Sequence, residues 1–193
     1  MNDHESDARE RVLDVAEKLF VEKGYAPVKL KHIADTLQMK QSSLYYYAPK
    51  GKEELFVLVM ERSFTRHQAG IEAAIRKGET WEQSLRQVGY WLLSQPPMNF
   101  GRMFTSDMPA LSEASAAHLM EVSSRALFTP LEGLFERGVA EGEIQVPSTE
   151  LMAGLLLTMV GSVQSSLDEW FTQTTRLKMV DDMIDVMLHG IKR

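Results

Sequence analysis

Residues 30–49 read LKHIADTLQMKQSSLYYYAP, and the fold turns on that stretch. Leu30, Ile33, Ala34 and Leu37 recur at i, i+3, i+4 and i+7, the spacing of one apolar helix face. Leu44 and Tyr47 mark a second, shorter helix, which Pro49 and Gly51 close. Two short helices crossing around a tight turn need apolar inner faces and one small residue where the backbones approach. Ile33, Leu37, Met39, Leu44 and Tyr47 meet the first need and Ala34 the second. The stretch predicts a helix–turn–helix, with the helix from Ser42 to Tyr47 lying in a DNA major groove. Pattern alone also fits a plain helical domain, so the context has to decide.

Outward from this window, helical spacing continues and no useful strand alternation appears. Val12, Ala16, Leu19 and Phe20 form a stripe closed by Gly24. A long helix starts near Lys52, carries Phe56, Val59, Ser63 and His67 on one face, and ends by Gly78. Thr80 and Gln83 make a capping-box pair for a helix running to Pro96-Pro97. A short helix spans Phe100 to Ser106. Another runs from about Ser112 to Ala140, with Pro130 expected to kink it. Two more cover about Thr149–Phe171 and Thr175–Ile191. The expected class is all-α with about nine helices. A three-helix DNA-binding domain over 1–52 is joined through the shared helix to a helical ligand-binding and dimerisation domain over 53–193.

The chain has 193 residues and a net charge of −6, which by itself speaks against a nucleic-acid binder. The distribution reverses that. Residues 29–52 hold Lys29, Lys31, Lys40, Lys50 and Lys52 against Asp35 alone, a local +4. Residues 61–193 hold 12 basic and 17 acidic side chains, a local −5. Tyr45, Tyr46 and Tyr47 interleave with the lysines, and hydroxyls and ammoniums both donate to phosphates.

With no cysteine, disulfides, thiolate nucleophiles and zinc–thiolate sites are excluded. The five histidines lie far apart, with no metal-motif spacing, no phosphate-cradling glycine loop and no G-x-S-x-G, so nothing nominates an enzyme, a metal or a cofactor. His32 reads as part of the basic helix face, and Asp181, Asp182 and Asp185 as a wet face. Met1 to Arg11 lacks the apolar core of a secretory signal, and Leu151 to Val163 is too short and interrupted to span a bilayer, so a cytoplasmic protein without a membrane role is expected.

In the body, small residues Gly154, Thr158, Gly161, Ser162 and Ser165 would let a partner helix approach closely. Leu177, Val180, Ile184, Met187 and Ile191 follow at spacings of 3, 4, 3 and 4, a packing seam. Together these predict a four-helix dimer interface, because a symmetric operator demands a two-fold protein; packing inside one chain is the other reading. Trp91, Phe100, Met103, Phe104, Met108, Met120, Phe128 and Met159 are the candidates for a hydrophobic effector pocket, with plain core as the alternative. Arg102, Asp107, His118 and Arg125 could orient a ligand there, but read first as solvated surface.

The stretch from Arg11 to Phe20, then Gly24-Tyr25, Ile33-Ala34, Ser43 to Tyr46 and Lys52 to Leu55, resembles the DNA-binding region of the tetracycline-repressor (TetR) family over about residues 8–60. The resemblance implies a homodimeric transcriptional regulator, usually a repressor released from a palindromic double-stranded operator by a small molecule. It places Tyr45 and Lys52 on phosphates, and Lys40, Gln41, Ser42 and Tyr46 on bases or the adjacent backbone. The DNA-facing set is then Lys29, Lys31, Lys40, Gln41, Ser42, Ser43, Tyr45, Tyr46, Lys50 and Lys52. The chain departs from the family pattern at Gln38 (usually glycine), at Lys29 and Lys40 (usually hydroxyl caps), at Ala48 (usually phenylalanine) and at Gly51, which reads as an insertion. A helical small-molecule sensor or carrier without operator binding is the alternative function.

Overall fold

The computed structural model describes residues 3–165 and 172–191. Its helices are α1 (Asp3–Lys23), α2 (Leu30–Thr36), α3 (Gln41–Leu44), α4 (Lys52–Lys77), α5 (Trp81–Ser94), α6 (Phe100–Arg102), α7 (Glu113–Ser123), α8 (Thr129–Ala140), α9 (Thr149–Ser165) and α10 (Gln173–Ile191). A π turn (Met103–Asp107) and a 3-10 turn (Met108–Ala110) follow α6, and a second π turn (Ser124–Phe128) joins α7 to α8. Among the described residues there is no strand. Of the helix expected to reach Phe171, residues 166–171 lie outside the described residues.

Contacts divide the chain into two compact units, Met1–Ser63 with Asn99–Val122 and Phe64–Met98 with Ser123–Arg193. The first is built around α1. Val12, Ala16 and Phe20 are buried on its inner face, and Val28, Ile33, Leu44, Leu55 and Phe56 close over them. The Phe20 and Phe56 rings meet edge-on with centroids 5.0 Å apart, and Tyr25 joins at 4.9 Å from Phe56. Arg62 ties α4 to α1 through Glu10, Asp14 and Glu17 at 2.7–2.8 Å. Glu17 is buried, so Arg62 places a cation against a carboxylate in the core.

The second unit packs around α5. Gly89 is where α10 comes closest: a Cβ there would lie 2.8 Å from Val180 and 3.2 Å from Ile184. The Trp81 indole N–H donates to the Leu134 carbonyl at 2.7 Å. At the end of α5 the buried Gln164 amide donates to the carbonyls of Leu92 (2.7 Å), which also accepts the Gln95 N–H, and of Gln95 (2.8 Å). Arg86 bridges Glu82, Asp181 and Asp185, while Tyr90 donates its hydroxyl to Asp181. Burial, then that bond to a carboxylate, pushes the Tyr90 phenol up to about 12. Asp181 and Asp185 therefore fasten α10 to α5, correcting their reading as a wet face; Asp182 pairs outward with Lys178.

The helical run from Glu113 to Ala140 answers the expected long helix, and its proline is absorbed by a π turn. Pro130 has no N–H for the carbonyl four residues back and its ring would crowd it. Widening the preceding turn, with Thr129 N–H bonding back to the Ser124 carbonyl, relieves both problems.

The turn between α2 and α3 closes with Gln38 at φ 55°, the one non-glycine residue with positive φ among those described. Gln38 N–H bonds the Asp35 carbonyl (3.1 Å) and Met39 N–H the Ala34 carbonyl (3.0 Å), a helix-end motif that normally carries glycine. Gly51 opens α4 at φ 88°, and a Cβ there would meet only the Tyr45 ring at 3.8 Å, so its constraint is backbone rather than space. Two opposite outcomes are expected in urea unfolding. Gln38→Gly should raise stability by about 0.5–1 kcal/mol, the relief of a left-handed side chain less glycine's entropy. Gly51→Ala should lower it by about 1–2 kcal/mol. Midpoints that move the other way would contradict the left-handed geometry.

Candidate nucleic-acid interface

α2 packs on α1 and on α3, which leaves one side of the pair to solvent. Leu30, Ile33, Ala34, Leu44 and Ala48 are buried, and Ala48 fills the place that the family pattern gives to phenylalanine. Lys29, Lys31, Lys40, Gln41, Ser42, Ser43, Tyr45, Tyr46 and Lys50 are all exposed, Tyr46 at 68%. After α3 the chain tightens. Tyr45, Tyr46 and Tyr47 N–H groups bond carbonyls three residues back at 3.0–3.3 Å, and the Tyr46 and Tyr47 rings meet edge-on. The three tyrosines are thereby held on a compact turn directly after the polar triplet.

Lys29 and Lys40 stand at the N-caps of α2 and α3 in extended conformation. A lysine side chain has no acceptor to offer a helix start. At α2 the missing partner is replaced by His32, whose Nδ1 accepts the Lys29 N–H at 3.3 Å while its own N–H bonds the Lys29 carbonyl at 2.9 Å. His32 is therefore a capping group rather than simply one more member of the basic face.

Lys52 is turned inward. Its ammonium donates to the carbonyls of Tyr25 (3.0 Å) and Ala26 (3.4 Å) and sits 3.9 Å above the Tyr25 ring. Burial holds its pKa below the usual lysine range. The lysine expected on a phosphate thus braces the loop between α1 and α2, and Lys29, Lys31, Lys40 and Lys50 make up the outward basic set.

Arg102 and Asp107, read as surface from sequence, belong to the first unit's interior. Asp107 is 5% exposed and accepts the Tyr25 N–H at 2.8 Å. Arg102 reaches the last carbonyls of α1. Their signal in the sequence was faint: an arginine and an aspartate five apart inside an apolar run. Glu53, at the start of α4, accepts from the Ser112 hydroxyl and N–H, and these bonds, the hydroxyl's foremost, hold its carboxyl below the usual range. His118 Nε2 lies 2.6 Å from Glu61, and Arg125 is exposed.

The pocket candidates divide between the units. Met103 and Met108 are buried in the first, where Phe104 is half-buried and Met120 is exposed. The Phe100 side chain lies outside the described residues. In the second unit Trp91 stacks edge-on with the buried His67, and Phe128 and Met159 are half-buried. Phe128 also lines an open groove of about 470 Å³ with Leu151, Gly154, Leu155 and Thr158.

The buried part of the C-terminal seam packs inside the chain. Val180, Ile184 and Met187 are buried within the chain, the first two against Gly89, and Leu177 is half-buried. A residue with no exposed surface in one chain adds none to an interface. The face that α9 leaves open carries Leu151, Leu155, Thr158 and Ser162, with Gly154 and Gly161 half-buried, and α10 exposes Val186. Ser165 and Ile191 side chains lie outside the described residues.

Among the described residues no group of three or more histidine, cysteine or acidic side chains is arranged to hold a metal, and no helix is long and apolar enough to cross a membrane. No curated protein matches the sequence. Residues 12–59 match the family model for bacterial regulatory proteins of the tetR family. The whole fold matches solved structures. A TetR-family regulator from Agrobacterium tumefaciens superposes with TM-score 0.78 at 18% identity, covering 97% of this chain and 99% of that one. A tetR-family regulatory protein from Rhodococcus RHA1 gives 0.75 at 19%, covering 96% and 97%. AibR, solved with isovaleryl coenzyme A and operator DNA, gives 0.76 at 16%, covering 92% and 96%. These likenesses establish the fold, and the match over residues 12–59 coincides with the unit that exposes the basic, polar and tyrosine-rich face. Residues 12–59 thus match the tetR family of bacterial regulatory proteins, and the chain as a whole has the fold of solved TetR-family regulators.

Proposed function

We propose that the protein is a homodimeric repressor that leaves a palindromic operator when a small apolar effector binds its body. Residues 1–52 read DNA, and residues 53–193 bind the effector and dimerise. The observation that carries this reading is the one-sided display on α2 and α3. Four exposed lysines flank Gln41, Ser42 and Ser43, with Tyr45 and Tyr46 beside them, over a fully apolar inner face. The lysines and tyrosines suit phosphates, while the Gln41 amide is the type of group that reads an adenine edge.

Two such heads must meet half-sites about 34–36 Å apart, or a multiple, so a two-fold partner is part of the reading. The open face of α9 with Val186 of α10 supports it, since apolar and small side chains at helical spacing admit a second helix pair. An effector acts by preferring one arrangement of the body, which changes the spacing of the heads; α4, unbroken from Lys52 to Lys77, is the element that carries the change. AibR's isovaleryl coenzyme A supports a small, partly apolar effector without naming this one.

The test is selection of bound fragments from genomic DNA with purified protein. An inverted-repeat motif is expected, bound with an affinity that falls steeply with salt. Failure to enrich any motif would overturn operator binding and leave the sensor or carrier reading. Lys40→Ser should separate two roles of one residue. It adds a hydroxyl cap worth about 1 kcal/mol to α3 and removes one phosphate contact, lowering the salt slope by about 1. Equal slopes would remove Lys40 from the interface. Leu155→Asp with Val186→Asp, both exposed in one chain, should give a folded monomer in sedimentation; a persisting dimer would exclude this face.

A further inference from the structure

We infer that the segment Phe100–Ala110 is a register switch on the DNA-reading unit, engaged through Arg102 and Asp107. The inference rests on the DNA-binding function proposed above. The clamp holds the corner between α1 and α2. Arg102 Nη2 donates to the carbonyls of Phe20 (3.1 Å) and Val21 (2.7 Å), and Nη1 reaches that of Glu22 at 3.5 Å. A cation thus meets the last carbonyls and the negative dipole end of α1. Asp107 Oδ1 accepts the buried Tyr25 N–H at 2.8 Å, and Oδ2 accepts from Arg102 Nε at 3.3 Å. Gly24 makes room: a Cβ there would stand 3.0 Å from Asp107 Oδ1 and 3.2 Å from Arg102.

Arg102 and Asp107 face the same way because of the turn between them. Residues five apart on an α-helix point about 140° away from each other. Bonding from i to i+5, as in the π turn Met103–Asp107, brings them back onto one side. One backbone bond marks that register, from Met108 N–H to the Met103 carbonyl. In α register the same N–H would go to Phe104 instead. Pro109 follows with no N–H, so the next α-helical bond, to Thr105, is impossible and does not pull the turn back. Met103 and Met108 are buried at either end, and methionine repacks more readily than a branched side chain. The segment has two registers separated by one hydrogen-bond exchange. The π register clamps the corner from which α2 starts; the α register releases it. Operator binding selects the clamped register, and by linkage anything that favours the α register weakens operator binding.

Backbone amide exchange by NMR, with Pro109→Ala and Asp107→Asn, tests this. Pro109→Ala restores the missing donor without touching the clamp's side chains. It should speed exchange at Tyr25 by about tenfold or more and lower operator affinity by a similar factor. Asp107→Asn, which loses the charge, should do the same without altering register. In the wild type, adding operator duplex should slow exchange at both Tyr25 and Met108. Unchanged Tyr25 exchange in Pro109→Ala, or Met108 exchange indifferent to operator in the wild type, overturns the switch. If the wild type selects no DNA, the regulator reading fails by itself, and Tyr25 exchange in free Pro109→Ala still decides whether the register controls the clamp.

Discussion

The DNA-reading unit converges on one corner, where α1 ends and the chain turns toward α2. A helix end leaves carbonyls without partners, and a turn leaves N–H groups without them; buried, each must be satisfied. Here several such groups in residues 20–26 are claimed by residues distant in sequence. Arg102 takes the carbonyls of Phe20 and Val21, Asp107 takes the N–H of Tyr25, and Lys52 takes the carbonyls of Tyr25 and Ala26. The Tyr25 ring completes the set by packing on Phe56 and lying beneath the Lys52 ammonium. Because α2 leaves from this corner, the aim of the basic face is fixed by groups turned into the unit rather than lying on that face.

That arrangement explains which parts of the site were legible in sequence. The helix–turn–helix was, since Leu30, Ile33, Ala34 and Leu44 encode their burial in local spacing. The family resemblance marked position 38 as one usually held by glycine, and Gln38 does take φ 55° there. Arg102 and Asp107 were not legible. Their partners lie about 80 residues away, and in their own neighbourhood they look like two ordinary surface charges. Lys52 fails for a related reason: a lysine at the start of a helix is equally suited to a phosphate outside and to carbonyls inside, and only the position of Tyr25 decides. The seam from Leu177 to Met187 shows the limit of periodicity. Spacings of 3 and 4 say that a helix packs, not whether its partner is in the same chain; Gly89 on α5 shows that Val180 and Ile184 pack within it.

The two lysine caps show a compromise between folding and binding. A hydroxyl at position 29 or 40 would steady the short helices by about 1 kcal/mol each. A four-residue α3 with no side-chain cap has little intrinsic stability and is held by Leu44 and Ala48 in the core. The charge gained stands beside the polar triplet, where phosphates would lie. His32 recovers part of the loss at α2 through its bond to Lys29 N–H, and α3 has no equivalent.

The net charge of −6 sets the same argument at the scale of the whole chain. At physiological ionic strength exposed charges are screened beyond about 8 Å, so a phosphate senses the nearest few side chains and not the total. With Lys52 turned inward, Lys29, Lys31, Lys40 and Lys50 therefore set the field on the face of α2 and α3, and the acidic excess elsewhere is free to serve other ends. Much of it does: Glu10, Asp14 and Glu17 hold Arg62, and Glu82, Asp181 and Asp185 hold Arg86. In each network one arginine is outnumbered three to one by carboxylates. An acidic composition here is in part a consequence of how the helices are fastened together, while Lys29, Lys31, Lys40 and Lys50 stand exposed around α2 and α3.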